Sequence, residues 1–204
     1  MNVPGMFSSS DQEIGYWEGC WAPYDSSTYQ SVLQSIDSDD ILLDIGAGDL
    51  RLARRAATLA RKVYAIELQQ DLIDKAILKE PLPENLEVIQ GDARLLSFPE
   101  GLTCGILLMR HCTCYALYAA KLKASGADRL LTNARWGLGV EIVRLTAPRT
   151  PFKRLAIGWY ACACGQVGFK PGPVEWLTVE RESTVYEVLD CPACRLDANA
   201  ERDQ

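Results

Sequence analysis

Residues 41–49 read Ile-Leu-Leu-Asp-Ile-Gly-Ala-Gly-Asp, and this stretch decides the fold class. Its first five residues are a short, mostly apolar run, as expected of a strand that is buried on both faces of a parallel sheet. Gly46 and Gly48 then allow the backbone to turn tightly and to approach a ligand closely. Residues 50–61 are rich in Ala, Arg and Leu, which predicts a helix that offers its first amide groups to that ligand.

The alternation of strand and helix continues along the chain. Further strands are predicted at residues 63–66, 86–89, 103–109 and 129–132, and further helices at residues 25–36, 69–79 and 115–124. This order predicts an α/β fold in which an open parallel sheet has helices on both faces, a three-layer Rossmann-like arrangement.

After Asn133 the rhythm changes to strands and turns. Residues 140–145 and 154–162 are predicted to form an antiparallel pair of strands joined by a proline-containing loop. Residues 163–195 contain further strands and turns rich in glycine and proline. The two ends of the chain are polar or mixed in composition, and we expect them to be partly disordered.

The composition is that of a globular protein, with 48% hydrophobic and 24% charged residues among 204. Neither a secretory signal nor an apolar run long enough to cross a membrane is visible, which predicts a cytoplasmic protein without membrane contact. The formal net charge of −6 at pH 7 disfavours a nucleic-acid partner, because proteins that bind phosphate backbones usually present a basic face.

The glycine turn favours an amino-acid-bearing cofactor over a dinucleotide. A dinucleotide fingerprint requires a third glycine, and Arg51 stands at that position. Asp44 and Asp49 flank the turn, and their charges would repel a pyrophosphate while attracting an ammonium or sulfonium group. A nucleotide-dependent oxidoreductase is therefore disfavoured.

Acidic side chains also end the next two predicted strands. Glu67 comes 21 residues after Gly46 and can accept hydrogen bonds from ribose hydroxyls. Asp92 ends the third strand and can accept a hydrogen bond from the exocyclic amine of adenine, while Ala93 leaves room for the ring. These positions fall at the carboxyl ends of strands, where open α/β sheets bind ligands.

In residues 41–48, 63–67 and 86–93 the chain resembles the class I S-adenosylmethionine-dependent methyltransferases, and the likeness extends over residues 25–135. The resemblance implies an enzyme in which the two glycines lie beside the methionine part of the cofactor, with acidic residues on the ribose and the adenine. The predicted cofactor-binding residues are Tyr24, Asp44, Gly46, Gly48, Glu67, Asp92 and Ala93. Where the family often has a third glycine in the first motif, this chain has Leu50.

Around Gly91 the chain is similar to the ribosomal-RNA adenine dimethyltransferases, which carry an Asn/Asp-Pro-Pro/Leu-Tyr type motif after the fourth strand to hold the target amine. Residues 109–115 read Met-Arg-His-Cys-Thr-Cys-Tyr instead. This departure argues against methylation of a nucleobase amine. It favours a small molecule, or a peptide or protein side chain, as the methyl acceptor.

His111, the one histidine of the chain, follows the fourth strand and is predicted to lie beside the transferred methyl group. An imidazole exchanges its proton near neutral pH, which suits a general base for the acceptor; a histidine that only hydrogen-bonds a loop is the alternative. Arg110 and Tyr115 flank it and are predicted to orient the acceptor. Side chains that could wall or close the pocket are Tyr24, Tyr29, Asn133, Arg135 and Trp136, with ordinary packing as the alternative.

Eight cysteines are many for this length, and in a reducing compartment they indicate metal binding or buried thiols. Two close pairs, Cys162 with Cys164 and Cys191 with Cys194, have the turn residues and spacing that let four thiolates converge on one zinc ion. A site with four cysteine ligands has no open position, so its role would be structural. Two disulfides or free thiols are the alternatives.

The predicted organisation is an N-terminal segment at residues 1–24, an S-adenosylmethionine-binding methyltransferase domain at 25–160, a small zinc-ribbon-like β unit at 161–196, and a tail at 197–204. The predicted function is SN2 methyl transfer with a structural zinc ion, driven by positioning of the acceptor. A non-catalytic cofactor-binding protein whose ribbon binds a partner, and an RNA methyltransferase, are the open alternatives.

Overall fold

The computed structural model describes residues 22–136 and 139–194. Most of the predicted N-terminal segment and all of the predicted tail lie outside the described residues. Within the two described ranges, no helix has the length and apolar character that crossing a membrane requires.

Six strands form the larger sheet, in the order β3-β2-β1-β4-β5-β6. Their bounds are β1 Ile41–Ile45, β2 Lys62–Glu67, β3 Leu86–Gln90, β4 Cys104–Leu107, β5 Arg129–Thr132 and β6 Glu141–Arg144. The first five strands pair in parallel, and β6 runs antiparallel to β5 at the edge. The predicted parallel sheet is confirmed, and its order makes β1 and β4 the neighbours at which the strand order reverses, where such sheets bind ligands.

Helices cover both faces of this sheet, as predicted. Their bounds are α1 Ser26–Leu33, α2 Arg51–Ala57, α3 Gln70–Lys79 and α4 Tyr115–Ala124. On one face, Val32 of α1 and Leu52 of α2 pack in a buried cluster with Leu42 of β1. On the other face, Leu122 of α4 packs in a second cluster with Leu43 of β1. Successive side chains of β1 thus enter opposite cores, which is why the strand is mostly apolar and does not alternate with polar residues.

Polar groups lock the amino ends of the central strands together. Arg129 at the start of β5 donates from Nη2 to both carboxylate oxygens of buried Asp40 at 2.7 Å. Thr103 Oγ1 donates to the same carboxylate at 2.7 Å and accepts from the backbone N–H of Ile41 at 3.0 Å. Charge-assisted hydrogen bonds are among the stronger ones in proteins, so this edge of the sheet is held firmly.

A second, smaller sheet follows, in the order β8-β7-β9. Its strands are β7 Gly158–Cys162, β8 Val167–Lys170 and β9 Val185–Val188, accompanied by helix α5 Val179–Ser183 and by 3₁₀ turns at Phe152–Arg154 and Val174–Trp176. Strand β7 pairs antiparallel with β8 and parallel with β9.

The predicted antiparallel pairing of residues 140–145 with residues 154–162 is wrong. Strand β6 pairs with β5 instead, because this pairing buries Val143 in the cluster beneath α4. Strand β7 belongs to the smaller sheet. The predicted domain boundary at residue 160 therefore falls inside β7, and the smaller sheet takes in Gly158 and Trp159.

Candidate functional site

The glycine turn after β1 has the tight geometry that its sequence predicts. Gly46 and Gly48 have φ angles of 73° and 58°, in the left-handed region that favours glycine. The backbone N–H groups of Gly46 and Ala47 donate to the carbonyl of Ile66 in β2 at 2.9 and 3.0 Å. The fully buried Leu50 also has a left-handed backbone, with φ of 63°. That conformation explains why the family often has glycine there, and it costs a leucine roughly 1–2 kcal/mol.

Glu67 ends β2 and braces the glycine turn. Its Oε2 accepts a hydrogen bond from the backbone N–H of Gly48 at 2.7 Å, and its Oε1 accepts one from the N–H of Gln69 at 2.9 Å. The side chain is buried. A carboxylate has about four acceptor positions, so two remain for the ribose hydroxyls that the sequence assigns to Glu67.

Asp44 brings a buried carboxylate to the same turn. Its Oδ2 is buried and accepts no hydrogen bond. Burial raises the pKa of Asp44 to about 7, and the nearby negative charge of Glu67 adds to the effect. A buried acceptor without a donor is costly, and a cationic donor group would satisfy it. The Asp44 carboxylate therefore fits the ammonium group at the amino-acid end of S-adenosylmethionine.

Asp92, which follows β3, is held by its neighbour Arg94. Its Oδ1 accepts from the backbone N–H of Arg94 at 2.9 Å, and its Oδ2 accepts from Nη2 of Arg94 at 2.7 Å. The hydrogen bonds from Arg94 lower the pKa of Asp92. Lys121 of α4 donates to the carbonyls of Ala93 and Leu96 and so fixes the loop. Asp92 is thus a charged, partly exposed acceptor at the carboxyl edge of the sheet.

The loop after β4 covers the glycine turn. The predicted strand at 103–109 ends at Leu107, which leaves Met109 free to fold over Gly46; a Cβ atom on that glycine would lie 2.9 Å from Cε of Met109. The sequence analysis did not single out Met109 as a site residue. The one feature of the sequence that could have indicated Met109 is its position close to Arg110 and His111. An apolar side chain by itself does not suggest a catalytic or binding role.

Tyr24 joins this loop to the residues before α1. Its hydroxyl accepts from the backbone N–H of Arg110 at 3.1 Å, and the guanidinium of Arg110 lies 5.3 Å from the centre of its ring. The N–H of Tyr24 donates to the hydroxyl of Tyr29 at 3.0 Å. His111 is exposed, with a left-handed φ of 61°. The structure therefore brings together Tyr24, Tyr29 and Arg110.

Tyr115 and Arg135 are placed differently from the exposed site residues. Tyr115 is 1% exposed, and its hydroxyl is buried without a hydrogen-bond partner. The Arg135 guanidinium lies 5.7 Å from the centre of the Tyr115 ring and forms ion pairs with Glu141 and Glu187 at 2.6 and 2.8 Å. Both predicted site residues thus lie at the contact between the two sheets, and Trp136 packs edge-on against Trp159 of β7.

Asn133 follows β5 at the carboxyl edge of the larger sheet. It is 1% exposed, and neither its amide oxygen nor its amide nitrogen has a hydrogen-bond partner. Buried amides are normally paired, so an unpaired one beside a candidate site indicates a ligand group. The sequence placed Asn133 in the pocket wall without distinguishing it from its neighbours.

The four cysteines of the smaller sheet converge as the sequence predicts. The Sγ atoms of Cys162, Cys164, Cys191 and Cys194 all lie within 4.8 Å of one another. The distances of 3.6 Å between Cys162 and Cys194 and 3.7 Å between Cys164 and Cys191 are those of thiols around a common centre and too long for disulfide bonds. Over residues 22–136 and 139–194, this is the one group of potential metal ligands.

Comparison with known proteins gives a family match over the larger sheet. Residues 43–134, from within β1 to just past β5, match a family model described as a methyltransferase domain. Over this range the chain is similar to methyltransferase domains. The matched range holds the glycine turn, Glu67, Asp92 and the loop after β4.

Curated relatives match a short part of the chain. An uncharacterized protein of Methanocaldococcus jannaschii is 44% identical over 69 residues, covering 32% of this chain and 26% of that protein. A probable ribosomal RNA small subunit methyltransferase A of Methanosarcina acetivorans is 41% identical over 69 residues, covering 34% and 26%. This chain thus spans about a quarter of the length of these relatives.

Among solved structures, an RNA methyltransferase of Salinibacter ruber in complex with S-adenosylhomocysteine is 23% identical, with a TM-score of 0.47. The match covers 54% of this chain and 76% of that one.

Replacing Asp44 by Asn is expected to remove a pH dependence of stability. The pKa of Asp44 is about 7 in the folded chain and about 3.9 when unfolded, so the folded state binds more protons between these values. The free energy of unfolding of the ligand-free wild type therefore falls as pH rises from about 4 through 7, by on the order of 3 kcal/mol. Urea denaturation at pH 5 and pH 8 measures this, with exposed Asp71→Asn as control. Parallel wild-type and Asp44→Asn profiles would refute the assignment.

Proposed function

We propose that this protein is an S-adenosylmethionine-dependent methyltransferase. One observation carries the proposal: in the range that matches a methyltransferase domain, a buried carboxylate oxygen of Asp44 lies beside the glycine turn without a protein partner, and a cationic donor would satisfy it. The sulfonium cofactor ends in an ammonium group, which supplies that donor. S-adenosylmethionine bound there provides the electrophilic methyl group, and the protein contributes orientation and proton transfer.

Each predicted cofactor-binding residue has a role in this proposal. Asp44 and the glycine turn hold the methionine part, while Glu67 accepts from the ribose with the two acceptor positions that the backbone leaves open. Asp92 accepts from the adenine amine, and buried Ala93 lies against the ring. Tyr24, joined to the loop after β4 through Arg110, closes the pocket from the N-terminal side.

His111 is the proposed general base. It is exposed on the loop whose neighbouring residue Met109 covers Gly46, so it lies within the segment nearest the cofactor. A base at this point removes the acceptor's proton as the acceptor attacks the methyl group in line. Arg110 is proposed to orient the acceptor through its guanidinium, which already lies over an aromatic ring.

The acceptor class has two candidates. The names of several curated relatives favour ribosomal RNA as the acceptor. The negative net charge of the chain, in contrast, disfavours a nucleic-acid acceptor. Those relatives, however, match over 61–69 residues only. The loop Met109–Tyr115 also lacks the motif that holds a nucleobase amine. A small molecule or peptide side chain is the first candidate because of that loop, and RNA is the second because of the relatives.

The cysteine cluster is proposed to hold a structural zinc ion. Four sulfur ligands in reach of one centre suit tetrahedral zinc. The hydrophobic cluster around these cysteines has three buried residues, Cys162, Val188 and Cys191, with partly buried neighbours. So small a core gives little stability by itself, and a metal ion would supply the remainder.

The cofactor proposal predicts micromolar binding of S-adenosylmethionine in titration calorimetry. Replacing either Glu67 or Asp92 by Ala is expected to weaken binding about tenfold or more, because each change removes a hydrogen bond to a charged acceptor. Glu87→Ala, on the exposed side of β3, is the matched control and should bind as the wild type does. A folded wild type that binds NADH and no S-adenosylmethionine would contradict the proposal.

The zinc proposal predicts one equivalent of zinc per chain in elemental analysis of the purified protein. Cys194→Ser is expected to lose the metal and to destabilise the smaller sheet, since three ligands leave the tetrahedral site open. Cys112→Ser, outside the cluster, should keep the metal. Metal-free wild type with four titratable thiols would favour the free-thiol alternative instead.

The catalytic proposal predicts opposite outcomes for two neighbouring residues. His111→Gln should slow methyl transfer about 100-fold or more, as loss of a general base does. Tyr115→Phe should leave the rate unchanged, because its hydroxyl is buried. Transfer of tritiated methyl groups to a ribosomal RNA transcript and to a peptide pool, assayed in parallel, identifies the acceptor class. Full turnover by His111→Gln would disprove the role of the base, and cofactor binding without any transfer would favour the non-catalytic alternative.

A further inference from the structure

The turn between the first two cysteines of the cluster packs on the first residue of α4. Gly165, which follows Cys164, has a left-handed φ of 98°. A Cβ atom on Gly165 would lie 2.9 Å from Cδ1 of Tyr115 and 3.1 Å from its Cβ and Cγ. Its N–H donates to the carbonyl of Cys162 at 2.9 Å, which closes the turn. The backbone of this turn, residues 162–165, is therefore in direct contact with Tyr115, and only glycine permits that contact.

A buried ionic network holds Tyr115 from a second direction. The Arg135 guanidinium lies 5.7 Å from the ring centre, and its side chain is 2% exposed. It pairs with Glu141 of β6 in the larger sheet and with Glu187 of β9 in the smaller sheet. Arg149 also pairs with Glu187 at 3.3 Å. Tyr115 thus lies where the cysteine turn and a network spanning both sheets meet.

Tyr115 is also the end of the loop that covers the proposed cofactor site. Residues 108–114 connect β4 to α4, and Tyr115 is the first residue of that helix. At the far end of the loop Met109 packs over Gly46, and Arg110 binds Tyr24. Only four residues lie between Arg110 and Tyr115. A displacement of the start of α4 can therefore be absorbed by few backbone dihedral angles before it reaches the site.

We propose that the cysteine turn, when it holds its metal, positions the loop 109–114 through the contact of Gly165 with Tyr115. With its metal bound, the cysteine turn is a rigid support for the start of α4. When the metal is lost, the turn becomes mobile and no longer holds Tyr115 in place. Gly165 and Tyr115 are positioning residues in this account. The proposal rests on the proposed function, since it assigns the smaller sheet the task of shaping the acceptor side of the same site.

Hydrogen exchange of the full chain, read by mass spectrometry, tests this positioning. The samples are zinc-loaded wild type, zinc-stripped wild type, and zinc-loaded Gly165→Ala, in which the added Cβ strikes the Tyr115 ring. Gly139→Ala, whose Cβ would meet nothing within 4 Å, is the matched control. We expect amides of residues 109–118 to exchange about tenfold faster in the stripped protein and in Gly165→Ala, a coupling of ordinary size, and at the wild-type rate in Gly139→Ala.

Faster exchange confined to residues 158–194, with residues 109–118 unchanged, would overturn the proposal. Removing zinc could unfold the whole chain, and Gly165→Ala could release zinc. In either case a measurement on the intact, zinc-loaded wild type tests the positioning. Because coupling between sites is reciprocal, saturating S-adenosylhomocysteine should raise the zinc affinity about tenfold in equilibrium competition with a chelator. Unchanged zinc affinity while calorimetry shows S-adenosylhomocysteine bound would overturn the positioning alone, whereas absence of that binding would count against the proposed function.

Discussion

The carboxylate of Glu67 ties the end of β2 to the glycine turn after β1, and the site depends on that tie. Glu67 accepts a hydrogen bond from the N–H of Gly48 at 2.7 Å. Glycine backbones can adopt many conformations, and this bond holds the turn in one of them. Burial raises the pKa of Asp44, and the negative charge of Glu67 adds to the effect. Glu67 therefore both fixes the shape of the turn and acts on the buried carboxyl beside it.

The two edges of the larger sheet divide stability from function. At the amino edge, Arg129 satisfies both oxygens of Asp40, and every partner there is a protein group. At the carboxyl edge, Asp44 and Asn133 keep buried polar atoms without protein partners. Unsatisfied groups cost stability, and they persist where a ligand completes them. The hydrogen bonds at the amino edge stabilise the sheet, whereas the unpaired groups at the carboxyl edge destabilise it.

The smaller sheet makes sense as an addition to this domain. The hydrophobic cluster around its cysteines has three buried residues, and the sheet contacts the larger one through Gly165 against Tyr115 and through the Arg135–Glu187 ion pair. A buried ion pair adds little net stability, because the cost of desolvating both charges offsets their attraction. The two contacts together join the smaller sheet to the larger one.

The sequence by itself determined the parallel sheet, the glycine turn and the convergence of four cysteines, because each follows from local spacing: short, mostly apolar strands, paired glycines and short cysteine intervals. Only the tertiary structure decided which strands pair across long separations, so β6 joined β5 where a local hairpin with the later strand had been expected. It also decided that Tyr115 is buried and that Met109 covers Gly46. Burial of a tyrosine or a methionine depends on what packs against it from distant parts of the chain, and no local pattern encodes that.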